Sequence, residues 1–186
     1  MKRYTLVAGV DGVGRTSLRG VLEGQGEPLG QIIDPDATLK AHGYDVIRAG
    51  RAAVAEIQRC LEGNISFTQE TTLSGRQVER TLRQARSQGY DVALFYVGLD
   101  SLGESLTRIH NRVQKGGHDI PPEDVARRFA GRFQALGRVL PYCDTVTFYD
   151  NENGFIRIAR LQNGQLMLAA GELPRWFEQL RQELGL

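Results

Sequence analysis

The feature that most constrains this chain is a glycine-rich loop set between a strand-length apolar run and the start of a helical pattern. Tyr4 to Ala8 is apolar, and Gly9-Val-Asp-Gly-Val-Gly14-Arg15-Thr16-Ser17 follows it, opening a helix near Thr16. The spacing fits GxxxxGK[ST] everywhere except the lysine, which here is Arg15. Such a loop must turn its backbone N–H groups inward around phosphate oxygens, in conformations and close approaches that a Cβ would block, while the helix behind it points its positive end at the anion. The phosphate-binding candidates are therefore Gly9, Gly12, Val13, Gly14, Arg15, Thr16 and Ser17, with the Thr16 hydroxyl placed to hold Mg²⁺. Arg15 keeps the positive charge but exchanges a compact ammonium for a planar fork. Phosphate binding survives that exchange more readily than fast transfer does, so an enzyme and a nucleotide-binding module both stay open.

Further apolar runs bounded by turn residues, Gly30 to Asp34, Ser66 to Glu70, Asp91 to Leu99 and Asp144 to Tyr149, read as strands. Between them lie helical periodicities: Ile47, Val54, Ile57 and Leu61; Val78, Leu82 and Ala85; Leu102, Leu106, Ile109 and Val113; Val125, Phe129, Phe133 and Leu136. Alternation of this kind marks an α/β fold with a mainly parallel central sheet and helices on both faces. Its ligands lie at the carboxyl ends of the strands, where Gly9 to Thr16, Asp36 and Glu70 should meet. Near the end of the chain, Phe155 to Leu161 and Gln165 to Ala169 flank Asn163-Gly164, which suits a type I′ hairpin turn. A short helix then starts at Pro174, docked by Trp176 and Phe177. With no repeat or linker, residues 1–186 read as one domain, with the hairpin and helix over about 155–186.

Composition serves mainly to exclude. The formal net charge of +1 lacks the cationic excess of a protein that lives on nucleic acid or an anionic membrane. Cys60 and Cys143 stand far apart with no CxxC or Cys/His cluster, against a disulfide framework or a structural zinc and for a reducing compartment. The N-terminal apolar run is too short for a signal peptide or a membrane span, which points to a cytoplasmic protein.

Local charge carries more. Ile33-Asp34-Pro35-Asp36 ends the second expected strand, so Asp36 could accept a proton from an acceptor hydroxyl or align it; an ordinary turn is the competing reading. Glu70, Thr71 and Thr72 close the third strand and face the same edge, with Thr72 or Ser74 expected to cap the next helix. From Arg108 to Arg138 seven Arg or Lys stand against three acids, on two helices flanking Gly116-Gly117-His118-Asp119-Ile120-Pro121-Pro122. Glycines that permit movement and prolines that start a helix suit a lid over 108–138 that closes arginines on a triphosphate. Without an aromatic stacking platform this charge does not read as a nucleic-acid face.

Together, VAGVDGVGRTSL, IIDPD, ETTLSG, RVQKGGHDIPPEDVARRF and TFYDN, in this order over about residues 4 to 150, resemble the zeta-toxin-like P-loop kinases, especially their small stand-alone bacterial branch. The resemblance implies a P-loop NTPase fold of nucleoside-kinase type with the first strand central, ATP with Mg²⁺ as cofactor, and transfer of the γ-phosphate to a small hydroxyl acceptor; zeta toxins act on UDP-N-acetylglucosamine and related sugars. By motif it makes Asp36 the acceptor-activating base, Glu70 a substrate-site carboxylate, and Arg112 and Arg128 triphosphate contacts, and it admits an antitoxin protein as partner. Arg15 in place of lysine and a charged Asp11 are departures from the pattern.

Overall fold

In the computed structural model, which describes residues 1–169 and 171–186, seven strands form one sheet in the order β2-β3-β1-β4-β5-β6-β7. The strands are β1 Arg3–Gly9, β2 Gln31–Ile33, β3 Phe67–Thr71, β4 Asp91–Gly98, β5 Thr145–Asp150, β6 Ile156–Gln162 and β7 Gln165–Leu168. β1 to β5 pair in parallel and β6 and β7 antiparallel. The helices are α1 Arg15–Gly24, α2 Pro35–Ala41, α3 Val46–Glu62, α4 Gln77–Ser87, α5 Leu102–Gln114, α6 Pro122–Ala130, α7 Arg132–Val139 and α8 Arg175–Leu184.

The near-continuous apolar runs of the central strands follow from burial on both faces. On one face Tyr4, Leu6, Ala8, Val92, Leu94, Tyr96, Val146 and Phe148 pack against α3, α4, α7 and α8. The alternate residues Val7, Ala93, Phe95, Val97 and Tyr149 pack on the other with Leu18 and Leu22 of α1 and Phe129 of α6. Period-two alternation along each strand thus supplies two cores at once. β1 lies at the centre, between β3 and β4, so the loop after it opens at the point where the strand order runs off in opposite directions, the switch point at which open α/β sheets bind ligands.

Asn163 and Gly164 adopt positive φ (52° and 74°) and turn β6 into β7, the hairpin their sequence predicts. α8 is anchored by Trp176, whose indole lies so close to Gly98 that a Cβ there would overlap the ring, and whose Nε1–H donates to Asp150 Oδ1 at 2.8 Å. Cys60 and Cys143 are free thiols, the first buried in the core.

Three expectations are corrected. The Asp34-Pro35-Asp36 segment neither continues β2 nor makes a simple turn. Asp34 caps α2, its Oδ1 accepting from the N–H groups of Asp36 (2.9 Å) and Ala37 (3.1 Å), with Pro35 in the first helical position, where its missing N–H costs nothing. The Val125 to Leu136 periodicity belongs to two helices, α6 and α7, parted at Gly131. Neither Thr72 nor Ser74 caps α4, whose N-cap is Arg76; the two hydroxyls bond each other at 2.7 Å, beside Leu73 at φ 61°.

Candidate active site

The loop after β1 is shaped by backbone that only glycine adopts readily. Gly12 (φ 76°) and Gly14 (φ 95°) are left-handed, and a Cβ at Gly14 would stand 2.9 Å from Asn151 Nδ2. Asn151, just past β5, donates its amide to Val13 O at 2.8 Å and so ties the loop to the neighbouring strand end. Gly14 is the N-cap of α1 and offers no side chain, leaving the N–H groups of the first turn open at the positive end of the helix.

Arg15 does not point away from this loop. Its Nη1 donates to Gly9 O at 2.6 Å and Val10 O at 3.1 Å, and its Nη2 lies 3.8 Å from Asp11 Oδ1. Asp11 itself is buried and also accepts from Arg128 Nη1 at 3.0 Å, so α6 of the expected lid meets the loop through this carboxylate. Ser17 is exposed in the first turn of α1.

Thr16 and Glu70 come together. The Thr16 hydroxyl donates to Glu70 Oε2 at 2.8 Å, and Arg19, one turn further along α1, donates its Nε to Glu70 Oε1 at 2.6 Å while its Nη2 lies 3.5 Å from Asp34 Oδ2. Burial pushes the Glu70 carboxyl above its ordinary value; the Thr16 hydrogen bond pulls it back, the nearby Asp34 charge raises it, and Arg19 lowers it again. Glu70 thereby faces the first turn of α1, at the end of β3 beside Asp34. Thr71 and Thr72 accept locally, from Leu73 N (3.0 Å) and Ser74 N (3.4 Å).

Across the cleft Asp36, exposed on α2, receives Arg112 Nη1 of α5 at 3.1 Å, and Arg112 Nη2 also donates to His118 O at 2.8 Å. His118 stacks on Tyr44, ring centroids 5.9 Å apart, so this histidine serves the loop between α5 and α6. Arg108, Asn111, Arg112, Lys115, Gly116 and Gly117 line a cavity of about 480 Å³. Arg108 reaches the carbonyls of Asn151 (2.7 Å) and Glu152 (3.4 Å). Arg132 is committed elsewhere: its guanidinium lies between the rings of Phe129 and Phe133, 4.0 and 4.1 Å from their centroids.

No protein-family model matches the chain. Over 83 residues it is 35% identical to an uncharacterized protein of Haemophilus influenzae, a match that covers 45% of this chain and 59% of that protein, less than two thirds of its length. Among solved structures it superposes on a chain of the AvrRxo1-ORF1:AvrRxo1-ORF2 complex with ATP, with a TM-score of 0.67 at 15% identity, covering 97% of this chain and 63% of that one. It superposes equally on a chain of the PezAT chromosomal toxin-antitoxin system of Streptococcus pneumoniae, with a TM-score of 0.66 at 14% identity, covering 100% and 85%. The chain shares its fold, a mainly parallel sheet with helices on both faces, with these two chains.

The residues missed from the sequence, Arg19 and Asn151, have partners far along the chain. Arg19 had a local signal, since Thr16 and Arg19 share a helix face at i, i+3. Asn151 had only its place at the end of TFYDN, its role resting on a meeting of β5 with the loop, while Arg108, expected among the lid arginines, reaches the Asn151 and Glu152 carbonyls. No described helix is long and apolar enough to cross a membrane.

Proposed function

We propose that this chain is an ATP-dependent small-molecule kinase that transfers the γ-phosphate to a hydroxyl acceptor, and that residues 1–186 act as one domain. One observation carries the reading: an uncapped helix N-terminus behind a loop held in left-handed glycine backbone, with a hydroxyl–carboxylate pair, Thr16 and Glu70, at its first turn. Gly9 to Ser17 would cradle the β- and γ-phosphates with backbone N–H groups and the Arg15 charge.

The Thr16 hydroxyl and the Glu70 carboxylate are hard oxygen donors of the kind Mg²⁺ accepts. Mg²⁺ is commonly held by one or two protein oxygens together with substrate phosphates. When bound, Mg²⁺ supplies neutralisation of charge on the phosphate oxygens. Arg19 orients Glu70 by donating to its Oε1, and Arg112 and Arg128 would meet the remaining negative charge from the lid. Asp36 would take the acceptor's proton once Arg112 leaves it for phosphate. A nucleotide sugar, as in zeta toxins, is the acceptor class we favour, and a cytoplasmic setting with an antitoxin-like protein partner follows from the same likeness.

A second reading, an ATP-binding module with little transfer, is favoured by one fact: Arg15 already spends its donors on the carbonyls of Gly9 and Val10. Both readings require ATP to bind. With ATP·Mg at a hundred times its dissociation constant, stability should rise by about 2.7 kcal/mol, a melting shift of roughly 5–11 °C. Gly14→Val should abolish that shift with the fold retained by circular dichroism; a shift that persists would remove the loop assignment. Mass spectrometry of a panel of nucleotide sugars, nucleosides and amino alcohols incubated with ATP·Mg then separates kinase from module.

A further inference from the structure

Asp11 is buried to 3% exposure inside the phosphate loop, and nothing in the transfer proposed above uses it. A carboxylate there works against the ligand, because two like unit charges about 4 Å apart repel by ~4 kcal/mol at an effective dielectric of 20. Its surroundings show what it does. Oδ2 takes Arg128 Nη1 of α6 at 3.0 Å, Oδ1 lies 3.8 Å from Arg15 Nη2, and its backbone carbonyl accepts from the Ser105 hydroxyl of α5. Among the described residues Asp11 is the sole carboxylate paired with Arg128.

We propose that Asp11 is a positioning residue that tethers Arg128, and α6 with it, over the phosphate loop. The arginine then meets the terminal phosphate already oriented, and the proposal rests on the kinase reading above. A long side chain carries up to about 2 kcal/mol of rotamer freedom, and fixing it before ATP arrives moves that cost out of the reacting complex. In the empty protein the carboxylate also offsets one of the two positive charges that Arg15 and Arg128 bring together.

The signature is a split between binding and transfer. Asp11→Asn keeps the size, removes the repulsion and frees Arg128. ATP·Mg should bind as tightly as to the wild type or up to about tenfold more tightly, while kcat falls about tenfold. Parallel loss of affinity and kcat, or an unchanged kcat, would overturn the proposal. Arg128→Gln probes the same pair from its more exposed end, with circular dichroism checking that the fold survives the loss of the cation beside Asp11. The double variant should fall within about twofold of Arg128→Gln alone, and additive losses would mean the two residues act separately. Hydrogen exchange without nucleotide gives a readout independent of catalysis: Asp11→Asn should speed exchange in α6 and leave α4 unchanged. Unchanged α6 exchange sinks the tether on its own, whereas a wild type that binds no ATP·Mg sinks the kinase reading and Arg128's role toward phosphate with it.

Discussion

Glu70 is nearly fully buried yet bonded to a hydroxyl and a guanidinium, and its behaviour with pH follows from that environment. Its carboxyl is raised chiefly by burial, so it holds a proton more readily folded than unfolded. Its contribution to stability is therefore complete below the unfolded value and is lost as pH rises through the folded one. Glu70→Gln should remove that slope: without ligand the variant melts at or above the wild type near pH 7, with the gap narrowing toward about pH 4. Melting curves across that range check it, and a variant less stable at pH 7 would mean the pairing outweighs the desolvation. Arg19→Gln does the opposite, leaving a buried carboxylate without its cation at a cost of about 3 kcal/mol. Arg15 is the other residue whose geometry makes a prediction. Its fork reaches two carbonyls and approaches Asp11 at once, which a single ammonium cannot reproduce. Arg15→Lys should lower both ATP affinity and transfer, by about tenfold each; a lysine variant that transfers phosphate faster than the natural chain would instead favour the binding module. The loop glycines, Thr16 and Glu70 were legible because their spacing is local or falls at strand ends. The surroundings of Asp11 were not, since its partner Arg128 lies 117 residues away and nothing near Asp11 in sequence announces the pairing.

Elements were legible in proportion to the apolar pattern they carry. The central strands and α4 bury regular faces, and the Asn163-Gly164 hairpin declares itself by turn chemistry, whereas the stripe expected on α3 is buried only at Ile57 and Leu61, with Ile47 and Val54 exposed. α2 escaped because its seven residues bury only Leu39, leaving too little periodicity to detect; its start signal, Asp34 before Pro35, read equally well as a turn. The break at Gly131 escaped for the reverse reason, since Val125, Phe129, Phe133 and Leu136 keep helical spacing across it. α8 shows how an element outside the parallel core supports the site edge. Trp176 covers Gly98, and its ring N–H and backbone N–H are held by Asp150 and Asp100 (2.8 and 2.7 Å), carboxylates beyond or at the ends of β4 and β5. Trp176→Ala should cost about 3–5 kcal/mol, whereas Trp176→Phe keeps most of the packing and loses about 1–3 kcal/mol by unpairing Asp150. Denaturant unfolding of both variants tests the order; equal losses would show that the ring contributes nothing beyond its hydrogen bond to Asp150.

Over the whole molecule the cleft is bounded by elements that follow different strands, α2 after β2 on one side of β1 and α5 after β4 on the other. Arg112 and Asp36 join these two walls, with side chains 33% and 51% exposed. An ion pair so open to water is worth about 0–1 kcal/mol, too little to hold the cleft shut against a bound substrate. It is nevertheless placed so that the proposed base is neutralised until Arg112 finds a better anion. Two variants separate these aspects. Arg112→Gln should shift the melting temperature by no more than about 4 °C, because one exposed pair carries so little stability. Asp36→Asn should be equally mild for stability and leave ATP affinity nearly unchanged, while transfer falls by ~10²- to 10⁴-fold, the usual contribution of a general base. Calorimetric titration with ATP·Mg and a transfer assay on the same preparations decide the matter. If Asp36→Asn weakens ATP binding as much as transfer, Asp36 organises the nucleotide site, and the wall carrying α2 belongs to ATP instead of the acceptor.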